Sequence, residues 1–306
     1  MSQLGQIEKD LLGIKEYPAG LSHLYEGWRF FRRYPIIPIT VLVLLVFFAL
    51  AANILADHDP RSGGIRDRHI PPAWTEEGTT NHLLGTDHSG RDVFSRMLYG
   101  ARLSLVVAAI ALLSGGTIGT ALGIFSGYYG GIVDEIITRA VDIWQALPFL
   151  MVALVCVLLF EQSLTLLLFL MVALAWVPFV RVIRSVTLVI KNEPYVDLAR
   201  VAGASTVRVL LRHILPGVVN TAVVISTLSV GSLIMAEAAL SFLGAGVPSP
   251  TPTWGSMVAD GRSYLATAWW PTVFPGLAIF LVVMSLNFTG DWLRDRLDPR
   301  LRQLSD

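Results

Sequence analysis

The feature that most constrains this 306-residue chain is a series of long segments without Asp, Glu, Lys or Arg. Seven such segments have 18 or more residues: 34–56, 103–133, 143–160, 162–180, 213–236, 238–259 and 263–290. A helix needs about 20 largely apolar residues to cross a bilayer. Charged residues make up only 15% of the chain, against about a quarter in soluble domains, so too few remain to cover a water-exposed surface. We therefore predict an all-α integral membrane protein.

One of the seven segments is predicted to be an irregular loop. Segment 238–259 contains Pro248, Pro250 and Pro252, and proline removes backbone donors and breaks helices. The other six are predicted spans, and Pro148 in the third suits either a first helical turn or a kink. Their approximate bounds are 34–56, 103–127, 143–160, 163–180, 217–236 and 270–289.

Basic residues predict the orientation of the spans. With the N-terminus inside, six spans place the C-terminus inside too. The inner segments then hold 16 of the 23 Lys and Arg residues, as the positive-inside rule favours. The outer loop 57–102 runs against this trend, because it carries six of the seven outer arginines. We predict cytoplasmic segments at 1–33, 181–216 and 291–306.

The N-terminal segment 1–33 has an apolar pattern of its own. Leu21, Leu24, Trp28 and Phe31 recur at helical spacing, which predicts an amphipathic helix lying on the inner membrane face. The alternative is a disordered tail.

Four glycines in the second span recur every four residues. Such spacing places small residues along one ridge of a helix, so that another helix can approach closely. This pattern predicts a tight helix bundle and indicates packing more strongly than function. The residues are Gly115, Gly119, Gly123 and Gly127.

The segment 181–216 is predicted to form a helix, a break and a second helix. Pro194 suits a first helical turn, and Gly203 is a good stop because glycine adopts the left-handed conformation at low cost. Ser205 or Thr206 can cap the next helix, which is expected to run to Pro216. The first helix has only about three turns and is marginal by itself in water. It must be held by the bundle, by the lipid surface or by a cytoplasmic partner, and spacing does not choose among them.

Several chemical functions lack the residues they need. No lysine follows a glycine, so there is no phosphate-binding loop for ATP. The adjacent Asp87, His88 and Ser89 point apart and do not predict a catalytic triad. The lone Cys156 predicts neither a disulfide nor a metal cluster, and no metal site is expected.

Ion-coupled transporters usually carry ionisable residues inside their spans. The six predicted spans have no Asp, Glu, Lys or Arg, and Glu237 at the outer end of the fifth is interpreted as an interfacial residue or, alternatively, a gating residue. This pattern argues against ion coupling through residues inside the spans.

The short cytoplasmic helix carries a recognisable motif. Tyr195-Val-Asp-Leu-Ala-Arg-Val-Ala-Gly203-Ala-Ser, followed by Arg212-His-Ile-Leu-Pro216, resembles the EAA loop of ABC-importer permeases. Asp197 takes the acidic place and Ala199 that of the second alanine. Leu198 departs from the first alanine, and Gly217 stands where this subfamily often has asparagine.

Further motifs extend the resemblance from Arg29 to Arg302. The chain is similar to the C-type permease of dipeptide and oligopeptide importers. The motifs include Gly85-Thr-Asp87, Gly90-Arg-Asp92, Tyr99-Gly-Ala-Arg102, Gly127-Tyr-Tyr-Gly130, Glu237-Ala-Ala-Leu-Ser-Phe-Leu-Gly244, Trp269-Trp270 and Asp298-Pro299-Arg300.

This resemblance implies a type I ABC importer permease in a bacterial or archaeal inner membrane. It implies a homologous second permease, two ATPase subunits that bind ATP and Mg²⁺, and an extracytoplasmic substrate-binding protein. No cofactor is expected in this chain and no nucleic acid as a partner. The docking helix would be about 193–203. The residues implied in coupling to the ATPase are Tyr195, Asp197, Ala199, Arg200, Gly203, Ala204 and Pro216.

A self-sufficient secondary transporter or channel is the alternative function, with the cytoplasmic helix as an interfacial element. The substrate-binding residues and the solute are not readable from the sequence, since relatives of such importers carry nickel, glutathione or sugars.

Overall fold

The computed structural model describes residues 35–297. The helix predicted within 1–33 and the end of the tail, 298–306, lie outside the described residues. The described helices are α1 (Ile36–Leu50), α2 (Ala52–Leu55), α3 (Val93–Tyr129), α4 (Gly131–Ala146), α5 (Phe149–Phe160), α6 (Leu164–Ile190), α7 (Pro194–Val201), α8 (Thr206–Val209), α9 (Leu215–Phe242), α10 (Trp254–Gly261) and α11 (Trp270–Leu297). Between 35 and 297 there is no β-strand, only an isolated bridge between Thr86 and Asp92.

Four helical stretches are long and apolar enough to cross a membrane. They are Val93–Tyr129, Leu164–Ile190, Thr206–Phe242 and Trp270–Arg296. A fifth results if α4 and α5, which meet at 82°, form one broken span. The apolar α1 has 15 residues. The all-α membrane fold is confirmed, while the number six and the orientation of the termini stay predictions.

Helices α3 and α6 pack with their backbones close together along the glycine ridge. A Cβ atom added to Gly119 would lie 2.2 Å from the carbonyl oxygen of Trp176, and one added to Gly123 would lie 2.9 Å from the carbonyl oxygen of Val180. Gly115 and Gly127 meet the same helix in the same way. Only glycine therefore allows this helix spacing.

The predicted third span, 143–160, is bent rather than straight. Leu147 adopts an extended conformation (φ −86°, ψ 127°), and Pro148 follows it. Proline disfavours the helical conformation in the residue before it, so α4 ends there and α5 starts in a new direction. The kink is the second of the two outcomes that the sequence allowed for Pro148.

The predicted end of a helix at Pro216 is wrong, because the helical path continues from Thr206 to Phe242. Residues Leu210–Ile214 form a π-turn, in which the N–H of Leu215 donates to the carbonyl of Leu210, five residues back. Pro216 then lies in the first turn of α9, where a missing donor is tolerated. The wide turn admits the proline without ending the helix.

The two segments predicted to be outer loops contain more helix than their composition suggests. α3 begins at Val93, ten residues before the predicted span, and the Asp92 side chain caps it by accepting from the Ser95 N–H. Segment 238–259, predicted to be an irregular loop, includes the end of α9 and most of α10. α10 is held by a capping box in which Thr253 and Ser256 bond each other's backbone.

Candidate functional site

The break between α6 and α9 contains the short helix α7. Glu193 precedes it, Pro194 occupies its first turn and Ala202 follows its last residue, so the helix lies inside the predicted docking segment 193–203. Gly203 ends it with φ +80°, a conformation that glycine adopts without a steric penalty. The N–H of Ala204 donates to the carbonyl of Ala199 at 3.0 Å, which closes the last turn.

One side chain fixes α7 to the rest of the protein. Val196 has no exposed surface and belongs to an apolar cluster with Ile124 of α3, Ile183 of α6 and Ile214 of the π-turn. Of the three supports considered from the sequence, the protein's own bundle therefore holds the inner face of the helix.

The opposite face of α7 is apolar and exposed. Leu198 is 69% exposed and Val201 86%, and Tyr195 beside them is 47% exposed. Leu198 and Val201 are three residues apart, so their side chains are neighbours on the helix surface. An apolar face without a partner in the described chain marks an interaction surface more strongly than scattered apolar residues do.

The charged residues of α7 are paired on the surface. Arg200 donates to Asp197 at 2.9 Å, and the guanidinium carbon of Arg200 lies 5.4 Å from the ring centroid of Tyr128. Exposed ion pairs contribute little to stability. Arg200 and Asp197 are thus available to contact another chain.

The structure brings most of the predicted coupling residues together but not all. Tyr195, Asp197, Ala199 and Arg200 lie in α7, and Gly203 and Ala204 form its end. Pro216 lies in α9 instead. Sequence reasoning missed Val196 as the anchor and treated Leu198 as a departure from the motif. The three-residue spacing of Leu198 and Val201 is the signal that could have identified the exposed face.

Two contacts brace the helix that leads into α7. Lys191, just after α6, donates from its ammonium to the carbonyl of Gly127 at 2.7 Å. Nη2 of Arg184 donates to Oδ2 of Asp134 in α4 at 2.6 Å, and Nε of Arg184 donates to the other carboxylate oxygen. These contacts join the segment just before α7 to α3, α4 and α6.

Glu237 is buried inside the protein. The residue is 1% exposed, and its carboxylate oxygens accept hydrogen bonds from Ser104 at 2.9 Å and Ser241 at 2.8 Å. The carboxylate links α3 to α9. Its apolar neighbours in sequence gave no indication of these hydroxyl donors, one of which is 133 residues away.

An apolar cleft opens between α3 and the helical path from α8 to α9. Its volume is about 710 Å³, and its lining is mostly aliphatic, with four hydroxyl side chains, one of them that of Tyr129. Lining residues include Gly116, Thr117, Thr120, Phe179, Leu211 and Ser226.

Comparisons with known proteins give consistent matches. The family described as "Binding-protein-dependent transport system inner membrane component" matches residues 119–303. The dipeptide transport system permease protein DppC of Escherichia coli (strain K12) is 42% identical over 289 residues, which cover 94% of this chain and 96% of the relative. The glutathione transport system permease protein GsiD of Pectobacterium atrosepticum is 38% identical over 279 residues, covering 90% and 91%.

A solved structure also has a similar fold. A chain of the inward-facing MetNI methionine ABC transporter superposes with a TM-score of 0.53 and covers 66% of this chain and 96% of its own. Its sequence identity is 16%, so this likeness concerns the fold alone.

Proposed function

Because the chain belongs to the family of binding-protein-dependent inner-membrane transport components and is a permease of an ABC importer, we propose that it carries di- or oligopeptides and is driven through α7. The observation that carries this proposal is the short helix with one buried anchor, Val196, and an exposed apolar face at Leu198 and Val201. An anchored helix of this kind can receive a push from a partner without unfolding.

The partner at α7 is an ATPase subunit. The chain has no phosphate-binding loop of its own, so ATP and Mg²⁺ bind elsewhere and their energy must arrive through a contact. The contact at α7 is next to Lys191 and Arg184, which join it to α3 and α4. Two such ATPase subunits and a homologous second permease complete the transporter, and both termini of this chain are cytoplasmic.

The second permease covers the cleft between α3 and α9. A cleft of about 710 Å³ lined by aliphatic side chains and a few hydroxyls is suited to half of a translocation pathway. The pathway opens alternately to each side, and the binding protein delivers the solute from outside.

The solute is a di- or oligopeptide. The dipeptide permease of Escherichia coli matches almost the whole chain, and the glutathione permease of Pectobacterium atrosepticum is almost as similar. Glutathione is itself a modified tripeptide, so both relatives favour a peptide-like solute over a metal ion or a sugar.

Reconstitution into proteoliposomes with both permeases, the ATPases and the binding protein tests this function. ATP in the compartment that holds the ATPases should drive uptake of a labelled dipeptide, and a variant of the ATPase that cannot hydrolyse ATP should abolish it. Uptake that persists without ATP and follows an ion gradient would instead establish the alternative, a self-sufficient secondary transporter. ATP-driven uptake of glutathione without dipeptide uptake would reassign the solute.

A further inference from the structure

Two histidines and an aspartate meet beside the first turn of α3. The ligand atoms of His58, His82 and Asp92 all lie within 4.8 Å of one another. Nδ1 of His82 is 3.0 Å from Oδ1 of Asp92, and the ring centroids of His58 and His82 are 4.7 Å apart. Two imidazoles and one carboxylate form a ligand set that Zn²⁺ and similar divalent ions prefer.

Hydrogen bonds orient two of these residues. Oδ2 of Asp92 accepts from the N–H of Ser95 at 2.7 Å, which leaves Oδ1 directed at His82. The hydroxyl of the same Ser95 accepts from the backbone N–H of His58 at 3.4 Å. Metal ligands in proteins are usually held by such outer contacts, which reduce the ordering needed when the ion binds.

The spacing is close to that of a zinc site. Ligands 2.0–2.1 Å from a tetrahedral zinc ion lie about 3.3 Å apart. For all three to bind one ion, the widest pair here therefore needs a contraction of roughly 1.5 Å at most. The side chain of His82 is 13% exposed and that of Asp92 is 3% exposed, so the site is sheltered yet reachable by water as a fourth ligand.

The nearby arginines do not pair with Asp92. The two buried arginines of this segment lie against the carboxylate of Asp87 instead. Nε of Arg91 is 2.7 Å from Oδ2 of Asp87, and Nε of Arg96 is 3.5 Å from the same oxygen. Asp260 adds a second carboxylate to these arginines. Oδ1 of Asp92 is therefore left to the histidines.

We infer that His58, His82 and Asp92 bind one Zn²⁺ ion. The ion joins the segment after α2, the loop before α3 and the cap of α3. These ligands are 24 and 10 residues apart in the sequence, so no motif of adjacent residues indicated the site. The inference does not depend on the transported solute.

The test is zinc content of the intact importer, purified through a tag without histidine and passed through gel filtration in metal-free buffer. The wild-type complex should retain one zinc per copy of this chain. H58Q and H82Q should each lose it, while H88Q should keep it, because His88 lies in the same loop but outside the cluster.

A second variant separates loss of ligation from loss of fold. His82→Cys supplies a thiolate, which also binds zinc. After replacement of zinc by Co²⁺, this variant should show a thiolate-to-cobalt absorption band that the wild type lacks. Zinc absent from the wild type after loading with one equivalent, equal retention by wild type and H82Q, or no band from H82C would each overturn the assignment.

Discussion

Val196 and Leu198 are two residues apart in α7 and lie in opposite surroundings, the first with no exposed surface and the second 69% exposed. The first side chain joins the cluster between α3, α6 and the π-turn. The second, with Val201, faces away from every other described part of the chain. This division separates the residues that hold the helix from those that can contact an ATPase.

Replacing both exposed residues should uncouple the importer without unfolding it. In L198S/V201S the lost apolar surface is already in water, so the free energy of unfolding should change by no more than about 0.5 kcal/mol per site. The ATPase subunits should no longer co-purify with the permease, and ATP-driven uptake should fall at least tenfold.

V196A is the matched control for that pair. It removes buried methyl groups and should lower the free energy of unfolding by about 2 kcal/mol through lost burial and a residual cavity. Thermal unfolding of the purified permease measures this. Equal midpoints for V196A and the wild type would show that Val196 is not the anchor.

Adding one methyl group at the glycine ridge should destabilise the α3–α6 contact. In G119A the new Cβ would approach the Trp176 carbonyl oxygen to 2.2 Å, and a backbone oxygen cannot move aside like the end of a side chain. We expect a loss of about 1–3 kcal/mol. G276A in α11 is the control, since nothing lies within 4 Å of the added atom and alanine favours helix. Equal midpoints of thermal unfolding for G119A and G276A would contradict the close packing of α3 against α6.

The contact between Asp134 and Arg184 should behave as a bidentate ion pair. Their side chains are 19% and 28% exposed, so solvent screens the pair only in part. R184A should cost about 2 kcal/mol because it leaves a carboxylate without its strongest donor. R184K should recover only part of this, since an ammonium cannot make the paired bonds. A double-mutant cycle with D134N measures the coupling energy, and additive effects would refute the pairing.

Stability in the loop before α3 should depend on pH through His69. Burial, with Arg68 and His88 nearby, lowers the pKa of His69 from its usual 6.5, while Asp87 opposes the shift. The ring also contacts Tyr264. The unfolded chain thus takes up this proton more readily than the folded one.

The contribution of His69 is therefore complete above about pH 6.5 and is lost as the pH falls below that value. The thermal midpoint of the wild type should drop more between pH 7.5 and 5.5 than that of H69Q. Identical drops for the two proteins would show that His69 does not cause this pH dependence.

The fold was predictable where one physical cause dominates a segment. Runs without charge identified the apolar helices, the four-residue glycine spacing identified the ridge, and Gly203 marked the end of α7. Pro148 was recognised as a candidate kink because proline restricts the residue before it.

Features that depend on distant partners were not predictable. Glu237 is buried because Ser104, 133 residues away, donates to it. The helix passes through Pro216 because a π-turn widens the path just before it. His58 and His82 meet only because Ser95 and the cap of α3 position their segments. The spacing of residues along the chain gives no indication of these contacts.

Site-specific photo-crosslinking at α7 tests the coupling role most directly. A photoreactive amino acid replaces Leu198 in the assembled importer, and replacement of Val196 by the same group serves as the buried control. We expect a covalent product with an ATPase subunit from position 198 and none from position 196. A product from position 198 with lipid alone, or no product with an ATPase subunit in a complex that retains ATP-driven uptake, would contradict it.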